Sequence, residues 1–260
     1  MLPEYPAVFW CCAASAVILV GIAKAGFGGG VGVVATPLLA LAIPVADAAA
    51  LMLPLLIACD ILAVAHYRTR FDGRSLWLLL PGAAGGVVLG ALFFGFFRDN
   101  ERLLQIGVGL LAVAFVAYQA ARALITGILA RHRPRAVEGA LWGALSGFAS
   151  TLAHAGGPPV AVFLLPQRLP REIFVGTTAI FFAVVNLLKL VPYACLGLLR
   201  AGNLRTTLVL APLTYVGVRL GVFLNSRFTD AWFNRLVYAI LLATGLQLVL
   251  GRSLLLLLRH

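Results

Sequence analysis

The chain has 260 residues, of which 62% are apolar and only 11% are charged, against about 25% charged in a soluble domain. Mean hydropathy is +1.02, and the apolar residues fall in blocks of about 20, the length that spans a bilayer. This excludes a water-soluble enzyme, a disordered tail and a small disulfide-stapled secreted fold. What remains is an all-α polytopic membrane protein, a multi-pass chain of about 8–10 membrane segments.

The net charge of +11 comes from 20 basic and 9 acidic residues, and Lys24 and Lys189 are the only lysines. The arginines cluster in short loops between apolar blocks, which the positive-inside rule explains without a nucleic-acid partner. Cys11, Cys12, Cys59 and Cys195 sit inside apolar blocks without metal-ligand spacing, so neither a disulfide framework nor a zinc site is expected. No cofactor motif is present. The start of the chain, MLPEYPAVFW, lacks the basic onset and cleavage pattern of a signal peptide and reads as the beginning of the first helix.

In chain order, apolar blocks cover residues 7–23, 27–43, 48–67, 75–97 and 103–125. A basic stretch at 131–135 reads as a loop. The pattern then restarts at 137–153, 157–169, 174–199, 206–225 and 233–251. Register supports an internal duplication. Pro81, Gly86 and Gly90 match Pro212, Gly217 and Gly221 at a shift of 131, as do Arg74 with Arg205 and Asp99 with Asp230. Pro44 pairs with Pro170 and Asp60 with Asn186 at 126, and Gly29-Gly30 stands opposite Gly156-Gly157 at 127. Residues 1–130 and 131–260 therefore read as two homologous transmembrane repeats.

Repeats of this kind are typical of secondary transporters, with the substrate site at the repeat interface near the midplane. Five crossings per repeat make the repeats inverted; four crossings, with a re-entrant second block, make them parallel. With Arg219 left out, either arrangement places 11 loop arginines on the cytoplasmic side and 6 opposite, so charge does not choose between them. In both, Arg68, Arg70, Arg74 and the 131–135 loop are cytoplasmic.

Two glycine runs interrupt the apolar blocks, Gly26-Phe27-Gly28-Gly29-Gly30 and Ala155-Gly156-Gly157-Pro158-Pro159. Proline in a first turn marks a helix start, because its missing N–H would be unpaired there anyway. Gly156-Gly157-Pro158-Pro159 thus reads as a break followed by a helix N-terminus inside the membrane. Amides exposed at such a terminus bind anions, and two breaks would form a paired cradle. The alternative is that the glycines only allow close helix packing. A nucleotide loop is excluded, since neither run ends in Gly-Lys-Ser/Thr or follows a strand.

Ionisable residues inside membrane segments are functional candidates by default. Lys189 lies more than about 15 Å from either end of its block at 1.5 Å per residue, too deep to snorkel. Asn186 shares its helix face. Asp60, in the matching helix, is either a proton carrier or the structural partner of Lys189 or Lys24. Lys24 precedes the first break and either faces the cradle or snorkels. His154 precedes the second break and either responds to protons near neutral pH or caps the break. Ser150 and His154 share a helix face, but no nucleophile elbow supports a hydrolase. Arg219 has Val88 as its counterpart and either holds an anion or pairs with an acidic residue.

The segments Gly26-Phe27-Gly28-Gly29-Gly30 with Thr36-Pro37-Leu38-Leu39, and Thr151-Leu152-Ala153-His154-Ala155-Gly156-Gly157-Pro158-Pro159 with Phe174-Val175-Gly176-Thr177-Thr178, resemble the TauE/SafE sulfite exporter family over nearly the whole chain. The chain departs from the family pattern at Ala50-Leu51-Met52, where a Gly-Thr-Ser-like triplet is usual. The resemblance implies a secondary carrier of the plasma membrane, in bacteria the inner membrane, that exports small sulfur-containing anions such as sulfite or organosulfonates.

The expected substrate contacts are Gly28, Gly29, Gly30, Gly156, Gly157, Pro158, Thr177, Thr178, Asn186, Lys189 and Lys24. Asp60 and His154 are the expected proton-coupling groups, with no metal site. The partners are a small anion, protons and the lipid bilayer. Rival readings are a carrier of another organic anion, a cation permease using Asp60 and His154, and an accessory membrane subunit.

Overall fold

The apolar blocks fold into helices with no strand among the described residues, which in this computed structural model are 5–26, 32–97, 99–128, 135–199, 201–227 and 230–251. The helices are α1 Ala7–Gly26, α2 Ala35–Leu39, α3 Val45–Tyr67, α4 Gly73–Phe97, α5 Glu101–Ile128, α6 Ala136–Ala153, α7 Gly157–Leu164, α8 Arg171–Cys195, α9 Ala201–Arg227 and α10 Asp230–Leu250. Among the described residues, six segments are long and apolar enough to cross a bilayer: α1, α3, α4, α8, Glu101–Ala121 of α5 and Arg205–Leu224 of α9.

The second block of each series is short. The 27–43 block contains a 3-10 turn, Gly32–Val34, and the five-residue α2. The 157–169 block gives the eight-residue α7 and a 3-10 turn, Leu165–Gln167. Pro158 and Pro159 open α7 behind Gly156 at its N-cap, as the sequence predicts. Pro44 and Pro170 occupy the N-caps of α3 and α8 with nearly identical dihedrals, φ −52° ψ 145° and φ −51° ψ 143°. Asp47 and Glu172 stand in the first turns of these two helices, where the helix dipole favours negative charge.

Close helix contacts follow the glycines. On α4, Gly82, Gly86 and Gly90 repeat every fourth residue and pack on α6, and Gly139, Gly143 and Gly147 of α6 pack on α4. A Cβ at Gly82 or Gly86 would overlap the carbonyl oxygen of Ala140 or Ala144. On α1 and α9, a Cβ at Gly21 would come within 2.8 Å of the Gly217 backbone, and one at Gly221 within 2.6 Å of the Ile22 oxygen. Small residues at such spacing let helix backbones approach in lipid, where packing replaces the hydrophobic effect as the cohesive force. The glycines matched in the sequence at a shift of 131 are thus the helix contacts themselves.

These contacts also fix helix directions. Numbers rise together along α1 and α9 and along α4 and α6, so both pairs run parallel. Asp60 meets Asn186, and Gly176 packs on Tyr67 and Arg70, so α3 and α8 are antiparallel. Arg102 donates to the Leu248 carbonyl at 2.7 Å and to that of Val249. Gly109 packs on Gly245, so α5 and α10 are antiparallel too. Trp77, Phe96 and Leu208 are highly exposed and face outward, as expected of helices that meet lipid.

Candidate functional site

Between the end of α1 and the end of α6 runs a buried chain of polar side chains. Lys24, in the last turn of α1, forms an ion pair with Asp60 of α3 and donates to the Leu56 carbonyl at 3.3 Å. Asn186 of α8 donates from Nδ2 to the other Asp60 oxygen at 2.6 Å. One helical turn further along α8, the Lys189 ammonium donates to the Ser150 carbonyl at 3.1 Å and Ser150 Oγ at 3.0 Å. Its third partner is His154 Nδ1 at 2.7 Å. The far ring nitrogen, His154 Nε2, lies 3.0 Å from the Ala49 carbonyl of α3. Lys24 and His154 each sit just ahead of a glycine run in the sequence, so the polar chain joins the ends of α1 and α6.

His154 ends α6 in the left-handed region at φ 53°. Its N–H bonds Ser150 O, the 5→1 bond of the left-handed cap on which helices commonly terminate with glycine, and the Ala155 N–H reaches back to Ala149 O. A histidine is tolerated there, and it aims the ring at Lys189. Below it, Ser146 Oγ donates to the Gly156 carbonyl at 2.7 Å. A Cβ at Gly156 would come within 2.9 Å of Phe182, so packing alone requires glycine at this position.

The last turns of α1 and α6 are each held by a tyrosine that the sequence did not single out. Tyr67 of α3 donates to Ala25 O at 2.9 Å, and Tyr193 of α8 donates to Thr151 O at 2.7 Å. Carbonyls in the last turn of a helix have no amide four residues on to accept from, and the phenols satisfy these two. Donors and acceptors alike are displaced by 126 positions, the shift that relates Asp60 to Asn186. Thr36 of α2 is fully buried, and its hydroxyl has no hydrogen-bond partner among the described residues.

Charge is unevenly balanced. Lys24 and Asp60 neutralise each other, whereas Lys189, with no exposed surface, contacts uncharged acceptors and makes no ion pair among the described residues. The sequence left Asp60 as either a proton carrier or the structural partner of Lys189 or Lys24; the lysine it pairs with is Lys24. Lys24 is 6% exposed and does not snorkel.

Other expected positions lie apart from this chain. Thr177 donates to Ile173 O at 2.6 Å and accepts from the Asp72 N–H at 2.8 Å, while Thr178 donates to Val175 O at 2.8 Å. At 1.5 Å per residue, these hydroxyls sit roughly 16–18 Å along α8 from Lys189, too far for one small anion to bridge. Arg219 is exposed on α9, with its guanidinium 6.0 Å from the Tyr215 ring. Gly28, Gly29 and Gly30 lie outside the described residues.

No curated protein and no solved structure gave a match. A family model, "Sulfite exporter TauE/SafE", matches residues 13–248. That family is one of membrane transporters rather than enzymes. A buried polar chain between the ends of α1 and α6, inside a multi-pass helical bundle, sits within the matched region, and the chain belongs to the sulfite exporter TauE/SafE family.

Proposed function

We propose that this protein is a secondary carrier of the plasma membrane, in bacteria the inner membrane, that exports small sulfur-containing anions, sulfite or an organosulfonate, by proton-coupled alternating access. The observation that carries the reading is Lys189, a fully buried lysine with no ion-pair partner among the described residues. A buried charge is costly unless compensated, and an anion passing between the helix breaks would compensate it. Gly156, Gly157 and Pro158 at the start of α7, with Lys189 and Asn186, form the second-half side of the site; Lys24, Gly28, Gly29 and Gly30 form the other. Thr36 adds an unspent hydroxyl on α2. Thr177 and Thr178, remote from Lys189, fit a position along the path. Asp60 and His154 are the proton-sensitive groups.

In this reading, residues 1–130 and 131–260 are inverted repeats that rock against each other about α3 and α8. The antiparallel pairing of α3 with α8 and of α5 with α10, and the two tyrosine bonds 126 positions apart, favour inversion over the parallel alternative. The inverted arrangement with the N-terminus outside leaves 11 loop arginines cytoplasmic and 6 opposite, in line with the positive-inside rule. A cation permease is the weaker reading, because the Asp60 carboxylate is already committed to Lys24 and Asn186.

The test is flux into proteoliposomes of sulfite, sulfate, a sulfonate and a carboxylate, with and without a pH gradient. Saturable flux of sulfite or a sulfonate, lost in a folded Lys189→Ala protein, is expected. Flux of a carboxylate alone would discard the sulfur-anion assignment. Wild-type flux from folded Lys189→Ala and Gly157→Leu proteins would overturn the site.

A further inference from the structure

A proton and an anion compete for nothing at Lys189; the hydrogen-bond inventory makes each require the other. An ammonium has three N–H donors and no acceptor. All three are used, on Ser150 O, Ser150 Oγ and His154 Nδ1. For Nδ1 to accept, it must present a lone pair. The Ala49 carbonyl can only accept, so the ring proton sits on Nε2 and points there. In this state His154 is neutral and Lys189 offers no free donor to a ligand.

We propose that Lys189 and His154 form a proton-gated anion site, which takes up one anion together with one proton on His154 Nδ1. The proposal rests on the reading of the protein as an anion carrier and specifies the step that couples it to protons. Adding the proton turns Nδ1 from acceptor into donor. Two N–H groups then face each other across 2.7 Å, and neither can satisfy the other. An anion oxygen inserted between them accepts from both. The same event raises the charge of the pair from one to two, which calls for a negative partner. The Nε2–H bond to Ala49 stays intact throughout and keeps the ring in place.

The charged surroundings leave the anion as the available compensation. The charged groups that act on His154 are Lys189 on α8 and Lys24 on α1, Asp60 on α3 acts on both of these lysines, and the Tyr193 ring lies 6.5 Å away centroid to centroid. Asp60 already serves Lys24 and Asn186, and the Tyr193 hydroxyl is spent on Thr151 O. No other carboxylate contacts the pair among the described residues. Of the two proton-sensitive residues, His154 therefore carries the exchanged proton, and Asp60 holds Lys24. By linkage, anion binding must favour protonation of His154 by the same factor that protonation favours the anion.

The experiment uses purified protein in proteoliposomes and whichever anion of the panel is carried. Apparent KM is measured from pH 5.5 to 8 for the wild type and for His154→Gln, whose amide retains a donor for Ala49. The ratio of the two KM values cancels the anion's own ionisation. One linked proton changes that ratio by about tenfold per pH unit above the titration of His154. An internal pH dye should also register one proton per anion beyond any carried by the anion itself, a measurement that needs no variant. A constant ratio across this range, or anion flux without that proton, would overturn the gate while leaving the carrier intact. Absence of flux for every anion from folded protein would sink the carrier reading, and the gate with it.

Discussion

Replacing Asp60 with alanine strands the Lys24 ammonium among apolar helices. Lys24 is 6% exposed and Asp60 1%, so neither has water to replace its partner. Removing one member of a buried ion pair costs about 3–5 kcal/mol, whereas exchanging both for apolar groups is close to neutral. Asp60→Ala also leaves Asn186 Nδ2 without its acceptor, adding about 1–3 kcal/mol for an unsatisfied buried donor. Lys24→Met spares that bond and should cost about 3 kcal/mol. The double variant K24M/D60L retains only the Asn186 penalty of about 1–3 kcal/mol. The order of stability is therefore wild type, double variant, Lys24→Met, Asp60→Ala. Thermal unfolding in detergent, followed by tryptophan fluorescence, reads this directly. At roughly 2–4 °C per kcal/mol for a chain of this size, Asp60→Ala should lower Tm by about 10–20 °C and the double variant by less than half of that. Additive losses in the double variant, or either single variant within about 2 °C of wild type, would refute the pairing.

Gly86→Leu drives a side chain into the Ala144 backbone, whereas a Cβ at Gly85 meets nothing within 4 Å and Gly85→Leu starts into open space. Size-exclusion chromatography in detergent should show the first aggregated, a loss beyond about 4 kcal/mol, and the second eluting like wild type. Tyr67→Phe and Tyr193→Phe each leave a buried terminal carbonyl unpaired; each should cost about 1–3 kcal/mol, read as matched falls in Tm. Arg70 and Glu172 pair with side chains 54% and 59% exposed. Arg70→Ala should change stability by less than about 1 kcal/mol in the same unfolding experiment.

The apolar blocks and the helices correspond closely because bilayer thickness fixes the length of a span, and block length is written directly in the composition. The depth of Lys189 was countable for the same reason. The helix start at Pro158 was legible because proline has one comfortable place in a helix. The partners of the polar residues were less accessible. Lys24 and Asp60 are 36 positions apart and Lys189 and Ser150 are 39 apart, so alternatives stayed open until helix packing chose between them. Where the hydroxyls of Thr177 and Thr178 turn was not legible, for a local reason. A hydroxyl in a helix can turn back onto a carbonyl three or four residues earlier, and nothing in the spelling of Gly176-Thr177-Thr178 says whether it does. Tyr67 and Tyr193 obey the 126-residue register, but a tyrosine near the end of an apolar block reads first as an interfacial anchor.

The glycine-lined contacts join α1 to α9 and α4 to α6, so the closest backbone contacts of these helices are made with the other half of the chain. A ribosome that has delivered residues 1–130 has produced α4 before the helix that fills its groove exists, and α1 waits until nearly the whole chain has been made. Assembly in the membrane must therefore be largely post-insertional, with early helices held apart in lipid until the late ones arrive. Cut within residues 129–134, the two fragments should each be degraded when made alone and accumulate when made together.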